Sequence, residues 1–255
     1  MFIDSHCHID FPELADNIDG VLGKMRENQV DRCLCISVNL EDFPRVLKLA
    51  EAHDNVFATV GVHPDYEDIE EPDVARLVQL ANHPKIIGIG ETGLDYYRLT
   101  GDLEWQRQRF RTHIRAAIKT RKPLIIHTRS AAEDTLKIMR EENAADIGGV
   151  MHCFTETLDI AEQAMAMNFY ISISGIVTFK NAVQIKEVAQ KIPLERLLIE
   201  TDSPYLAPVP FRGKLNQPGY VKHVAEEIAK LRGVSVEEIA QQTTKNFNKL
   251  FNINK

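Results

Sequence analysis

Short apolar runs of β type recur along the chain, and each is followed by a stretch with apolar residues at helical spacing. The β-type runs are Phe2–His6, Arg32–Val38, Val56–Val62, Lys85–Glu91, Pro123–His127, Gly149–Cys153, Phe169–Ser174 and Arg196–Thr201. The helical stretches between them are Val21–Asn28, Asp42–His53, Asp73–Asn82, Leu103–Arg121, Ala131–Glu142, Leu158–Met167 and Ala182–Lys191. Near-continuous apolar strands that alternate with helices imply a parallel sheet covered by helices. Eight such units in 255 residues predict an α/β fold of the (β/α)8 TIM-barrel type. An open doubly wound sheet is the alternative, but no GxGxxG follows the first strand. No linker or low-complexity tract interrupts the pattern, so residues 1–255 read as one barrel domain. The tail from Gln217 to Phe251 adds two helices. Ser235 and Glu238 form a capping box before the last one, which is expected to pack against the barrel.

Composition changes this picture little. The chain is 44% hydrophobic and 26% charged, as ordinary globular proteins are. It has no apolar run of membrane-spanning length and no signal-peptide pattern at its start, so a cytoplasmic protein without membrane contact is expected. Cys7, Cys33, Cys35 and Cys153 make no CxxC pair and read as reduced, mostly buried thiols. The net charge of −7 argues against broad electrostatic binding of nucleic acid. It leaves a nuclease possible, because bound cations supply positive charge locally.

The informative residues stand at strand ends. The first strand runs into His6-Cys7-His8, where alternation puts both imidazoles on one face. His63 ends the third strand, Glu91 the fourth, His127 the fifth, His152 the sixth and Asp202 the eighth. In a barrel these ends converge on the rim that carries catalytic residues. A lone histidine at such a place is more often structural than a ligand. Five histidines and two acids together are not, since buried acids and imidazoles need a counter-charge. A nitrogen and oxygen donor set without thiolate suits two divalent ions, Mg²⁺, Mn²⁺ or Zn²⁺. Glu91 is the expected bridge between a His6, His8 and Asp202 site and a His127 and His152 site. Such a pair activates water, and Asp202 is placed to take its proton.

The motifs that carry these residues are DSHCHID, VGVHP, GIGETGLDYY, PLIIHTR, GGVMHCFTE, YISISGIVTFKNA, LLIETDSPYLAP and PFRGKLNQP. Together they resemble the TatD family of metal-dependent hydrolases, of the amidohydrolase-like barrel class, from end to end. The resemblance implies hydrolysis of ester bonds, usually as a Mg²⁺- or Mn²⁺-dependent deoxyribonuclease working from the 3′ end. It implies metal ligands at His6, His8, Glu91, His127, His152 and Asp202, with His63 facing the substrate. Glu91 stands where many larger barrel amidohydrolases carry a carbamylated lysine, which argues against the phosphotriesterase-like variant.

Other residues suit a phosphate substrate. Arg129 follows His127 by two positions, and Arg212, Lys214 and Asn216 lie in a Pro/Gly-rich loop after the eighth strand. Tyr96 and Tyr97 are candidates for stacking on a base, with rim packing as the alternative. Glu200 shares a face with Asp202 and is expected to orient a ligand. The arginine- and lysine-rich stretch from Trp105 to Lys122 reads as the solvent face of an outer helix. The leading expectation is a monomeric hydrolase of DNA ends. Two alternatives stay open: a metal-dependent hydrolase of a small acyl ester or amide, and a metal-stabilised binding protein without turnover.

Overall fold

The computed structural model describes residues 1–67 and 69–253. Its strands are β1 Phe2–Cys7, β2 Val30–Cys35, β3 Val56–Val60, β4 Ile86–Asp95, β5 Leu124–Arg129, β6 Gly149–Met151, β7 Phe169–Ile173 and β8 Leu197–Ile199. They form one eight-stranded parallel sheet in chain order. The helices are α1 Pro12–Ala15, α2 Ile18–Glu27, α3 Phe43–Ala52, α4 Val74–Ala81, α5 Glu104–Thr120, α6 Ala132–Glu141, α7 Leu158–Ala166, α8 Val183–Lys191, α9 Val221–Arg232 and α10 Val236–Leu250. This is the expected α/β barrel. Among the described residues, no helix is long and apolar enough to cross a membrane.

The sheet is nearly closed. β1 and β8 meet through the bridge between Cys7 and Ser203. His8 N–H donates to Ser203 O at 2.7 Å, and Asp202 N–H donates to His6 O at 2.9 Å. Below this bridge, side chains do the joining. Buried Asp4 accepts the Thr201 N–H at 2.8 Å and the Thr201 hydroxyl at 2.5 Å. Ser5 hydroxyl donates to Ile199 O at 2.9 Å.

Two apolar layers follow from strand alternation. Outward residues such as Val56, Ala58, Ile86, Leu124, Phe169 and Ile171 pack against the helices in one large core. Inward residues make a second core of Ile3, Leu34, Ile125, Val150, Tyr170 and Leu198, with Phe57 and Ile87 beside them. That set takes one residue from every strand. Phe247 and Phe251 at the end of α10 join it, so the final helix stops the lower end of the barrel. Ser235 caps α10 by accepting the Glu238 N–H at 3.1 Å.

Two of the register shifts in the sheet lie at rim residues. In β1, Asp4 pairs with Cys33 and Cys7 with Cys35, three steps against two. In β4, Ile89 pairs with Leu124 and Thr92 with Ile126, again three against two. Each is a bulge of one extra residue, which re-aims the side chains that follow. β4 also runs to Asp95, beyond the expected end at Glu91, because Gly90 and Gly93 allow it. At Gly93 (φ +137°) a Cβ would stand 1.9 Å from His127 O, and at Gly90 (φ +144°) 2.6 Å from Ile125 O. The bare backbone lets β4 lie tightly on β5. Several other strands end sooner than expected, β3 at Val60, β6 at Met151 and β8 at Ile199. His152 therefore sits on the first residue past β6, and His63 and Asp202 on the third past β3 and β8.

Candidate metal centre

The upper rim gathers the strand-end residues around one carboxylate. Glu91, 3% exposed, has its Oε2 3.3 Å from His6 Nε2 and 3.9 Å from His8 Nε2. Its Oε1 lies 2.7 Å from His152 Nε2, 3.1 Å from His127 Nδ1 and 3.4 Å from His63 Nε2. The two oxygens of Glu91 thus face two separate groups of imidazoles. Asp202, held at positive φ just after β8, puts Oδ1 3.4 Å from His8 Nε2 and 3.6 Å from His6 Nε2. His6 and His152 stack face to face, with centroids 3.8 Å apart.

The electrostatics bind these groups to one another. Burial opposes ionisation of Glu91, but His152, His63 and His6 outweigh it and hold the carboxyl well below its usual range. Burial likewise opposes the charge on Asp202, and the His8 hydrogen bond with the His6 and His152 charges wins. Burial disfavours charge on His152 and His63 too. Glu91 and Glu200 nonetheless raise His152 well above its ordinary value, and Glu91 and Asp65 raise His63 to about 9. The acids of the cluster require a positive charge beside them.

A divalent cation fits the same place. Among the described residues, three groups have donor atoms within 4.8 Å of one another: His6, His8 and Glu91; His6, His152 and Asp202; His63, Glu91 and His127. His152 Nε2 stands 2.7 Å from Glu91 Oε1 yet makes no well-directed hydrogen bond. A ring nitrogen and a carboxylate oxygen placed off the N–H axis are arranged as two ligands toward a shared ion. All the donors are nitrogen or oxygen, as divalent hydrolytic metals require.

The sequence profile of the family described as TatD related DNase matches residues 3–252. The chain belongs to the TatD family. It is 47% identical over 254 residues to the uncharacterized metal-dependent hydrolase YcfH of Escherichia coli K12, covering 98% of this chain and 96% of that one. It is 33% identical over 248 residues to the 3′-5′ ssDNA/RNA exonuclease TatD of Erwinia tasmaniensis, covering 94% and 96%. Among solved structures it superposes on YJJV, a TatD homologue from E. coli K12, with TM-score 0.90, 30% identity and coverage of 99% and 98%. The protein is therefore a metal-dependent hydrolase of the TatD family.

In this TatD-family site, three histidines each have a carboxylate behind them. His152 Nδ1 lies 3.3 Å from Glu200 Oε1, which also accepts the Cys153 N–H at 2.6 Å. That is the orienting position expected for Glu200. His63 Nδ1 bonds to Asp65. His127 Nε2 lies 3.1 Å from Asp95 Oδ2, while Asp95 Oδ1 accepts the N–H groups of Tyr97 and Arg98 at 2.9 and 3.2 Å. Asp95 and Asp65 escaped the sequence reading. The available signal was their position, four residues after Glu91 in GETGLD and two after His63.

The rim opens into a pocket of ≈ 520 Å³, and His63 and Arg129 both line it. The Arg129 guanidinium lies over the Tyr97 ring at 3.9 Å. In the loop after β8, Asn216 is fully buried, and its amide donates to Thr201 O at 2.9 Å and Tyr205 O at 2.6 Å, so it braces the loop. Arg212 stacks over Phe179 at 4.4 Å, and neither Arg212 nor Lys214 lines the pocket. Tyr96 also turns away: its hydroxyl donates to Asp134 and accepts from Arg107. Along α5, Arg107, Arg111 and Arg115 pair with Glu104, Glu141 and Glu142, as the solvent-face reading expects. Arg109 is the exception, buried against Glu71 and His63 O.

Proposed function

We propose that this protein is a deoxyribonuclease that uses two divalent ions, Mg²⁺, Mn²⁺ or Zn²⁺, to remove nucleotides from 3′ ends of DNA. The observation that carries the reading is the two-sided Glu91, whose oxygens face His6 and His8 on one side and His127, His152 and His63 on the other. His6, His8 and Asp202 would hold one ion, His127 and His152 the other, with Glu91 between. Such ions polarise a phosphoryl oxygen and acidify water. The Asp202 carboxylate, kept ionised by its histidine neighbours, takes the proton of the attacking water. The water oxygen bonds to phosphorus as the P–O3′ bond breaks, and the leaving O3′ takes a proton from solvent, giving a 5′-mononucleotide and a new 3′-hydroxyl. Arg129 on the pocket wall grips non-bridging phosphate oxygens. The name of the Erwinia relative supports the substrate class. All the cluster residues come from one chain, which supports action as a monomer, and the four free cysteines fit a reducing cytoplasm.

The test is a gel assay on chelator-stripped protein with Mg²⁺, Mn²⁺ or Zn²⁺ restored and 5′-labelled single-stranded DNA. Metal-dependent shortening from the 3′ end is expected, with two ions bound per chain by calorimetry. Tight metal binding without cleavage of DNA by any of the three ions would overturn the nuclease reading in favour of a small acyl ester or amide.

A further inference from the structure

The pocket has two unlike walls. Arg98 and Arg129 stand on the side of β4 and β5. Phe11, Tyr66 and Tyr205 stand on the side of β1, β3 and β8, which is where the strand order brings the ring round. Arg98 is paired with Asp65 at 2.9 Å, which leaves Arg129 as the cation that the first wall offers to phosphate, while the other wall offers aromatic faces.

Tyr205 is the prominent member of the aromatic wall. Its side chain is 54% exposed although it lines a pocket beside the metal centre. An exposed ring at such a place is not explained by packing. Its backbone is nonetheless fixed. Tyr205 N–H donates to Asp202 O at 3.0 Å, and its carbonyl accepts from buried Asn216 at 2.6 Å. Phe11 joins the ring to the centre: it stacks on His8 at 4.9 Å and 21°, and meets Tyr205 edge-on at 6.4 Å and 77°. An open ring is thus held in register with two of the proposed ligands, His8 and Asp202.

Resting on the nuclease reading above, we propose that Tyr205, backed by Phe11, is the stacking platform for the terminal nucleobase of a single strand. The scissile phosphate then lies between the base and Arg129. Stacking on an aromatic face is indifferent to base identity, so the subsite accepts any of the bases. It also requires an unpaired base, so duplex ends must fray before they bind.

The test compares two single strands, one ordinary and one with a tetrahydrofuran abasic unit as its 3′-terminal nucleotide. Tyr205→Ala should raise KM for the ordinary strand roughly five- to a hundredfold, with kcat little changed. KM for the abasic strand should not move. Tyr205→Phe keeps the ring and should behave as wild type on both. An equal rise on both strands, or a Tyr205→Phe variant as poor as Tyr205→Ala, would overturn the platform while leaving the nuclease intact. A wild-type enzyme that cuts neither strand with any metal fails at the earlier step and removes the platform with it.

Discussion

At the lower end of the barrel, Ile125, Val150 and Leu198 meet Phe247 and Phe251 of α10. Two residues further along the chain stand His127 on β5 and, just past the ends of β6 and β8, His152 and Glu200. In extended chain that is a rise of about 6.6 Å. Across it the interior changes from a dry apolar plug to a cluster of acids and imidazoles. The plug gains roughly 1.5–3 kcal/mol for each large side chain buried. The cluster gathers charges whose desolvation their mutual attraction scarcely repays. Stability is concentrated at one end of the strands, and the chemistry is tolerated at the other because of it.

The sharpest way to separate the two ends is a pair of substitutions. Glu91→Gln, at the upper end, should lower kcat by at least about a thousandfold, roughly 4 kcal/mol in the barrier. Its far-UV circular dichroism should stay that of wild type. An active Glu91→Gln enzyme would remove Glu91 from the centre of the site. Phe247→Ala, at the lower end, should cost about 3–5 kcal/mol of stability by urea denaturation. Its kcat at low temperature should be close to wild type. Equal damage to turnover would show that the plug and the cluster are not separable.

Acid should destabilise the fold through a group at the upper end. His113 on α5 accepts the Val62 N–H at 3.0 Å and donates to Arg109 O at 2.8 Å, fully buried beside the loop that carries His63. Burial lowers its pKa from 6.5 to about 4. Above pH 6.5 both folded and unfolded chains hold it neutral, so it costs nothing there. As pH falls from 6.5 toward 4 the unfolded chain takes up a proton that the native state refuses. Stability should fall across that window, approaching about 3 kcal/mol. Urea midpoints at pH 7 and pH 5 measure this, and His113→Gln should flatten the slope. An unchanged slope in that variant assigns the acid loss to other groups.

The smallest effect concerns the support of the cluster. Asp95→Asn should weaken metal binding about 10- to 100-fold by calorimetry, since His127 loses the carboxylate that orients it. Metal affinity equal to wild type would leave Asp95 as a turn-former for Tyr97 and Arg98.

Which parts were legible in the sequence follows from the same physics. Parallel strands buried on both faces must be apolar throughout, so their number and order could be read directly. The histidines and acids stood out because they end such runs. The bulges could not be read, since one extra residue in β1 or β4 changes no composition and shows only in pairing with a neighbour. Asp95 was hidden for that reason, lying beyond two glycines that look like a loop but extend β4. The bracing by Asn216 could not be read, because a polar loop residue carries no mark of where its amide goes. Its acceptors, Thr201 O and Tyr205 O, are defined only once the chain has folded back. The plug made by Phe247 and Phe251 was legible as packing, but not as closure of a particular end.

The seam between β1 and β8 has a temporal consequence. Asp4 and Thr201 are 197 positions apart, and their hydrogen bonds join the first strand to the last. His6 and His8 lie on one side of that join and Asp202 on the other. A ribosome releases the two histidines about 200 residues before Asp202 emerges. Closure of so distant a pair belongs late in folding. The centre is completed only with the last strand: a polypeptide broken off before β8 carries His6, His8, His127, His152 and Glu91 but lacks Asp202, the residue proposed to take the proton of water.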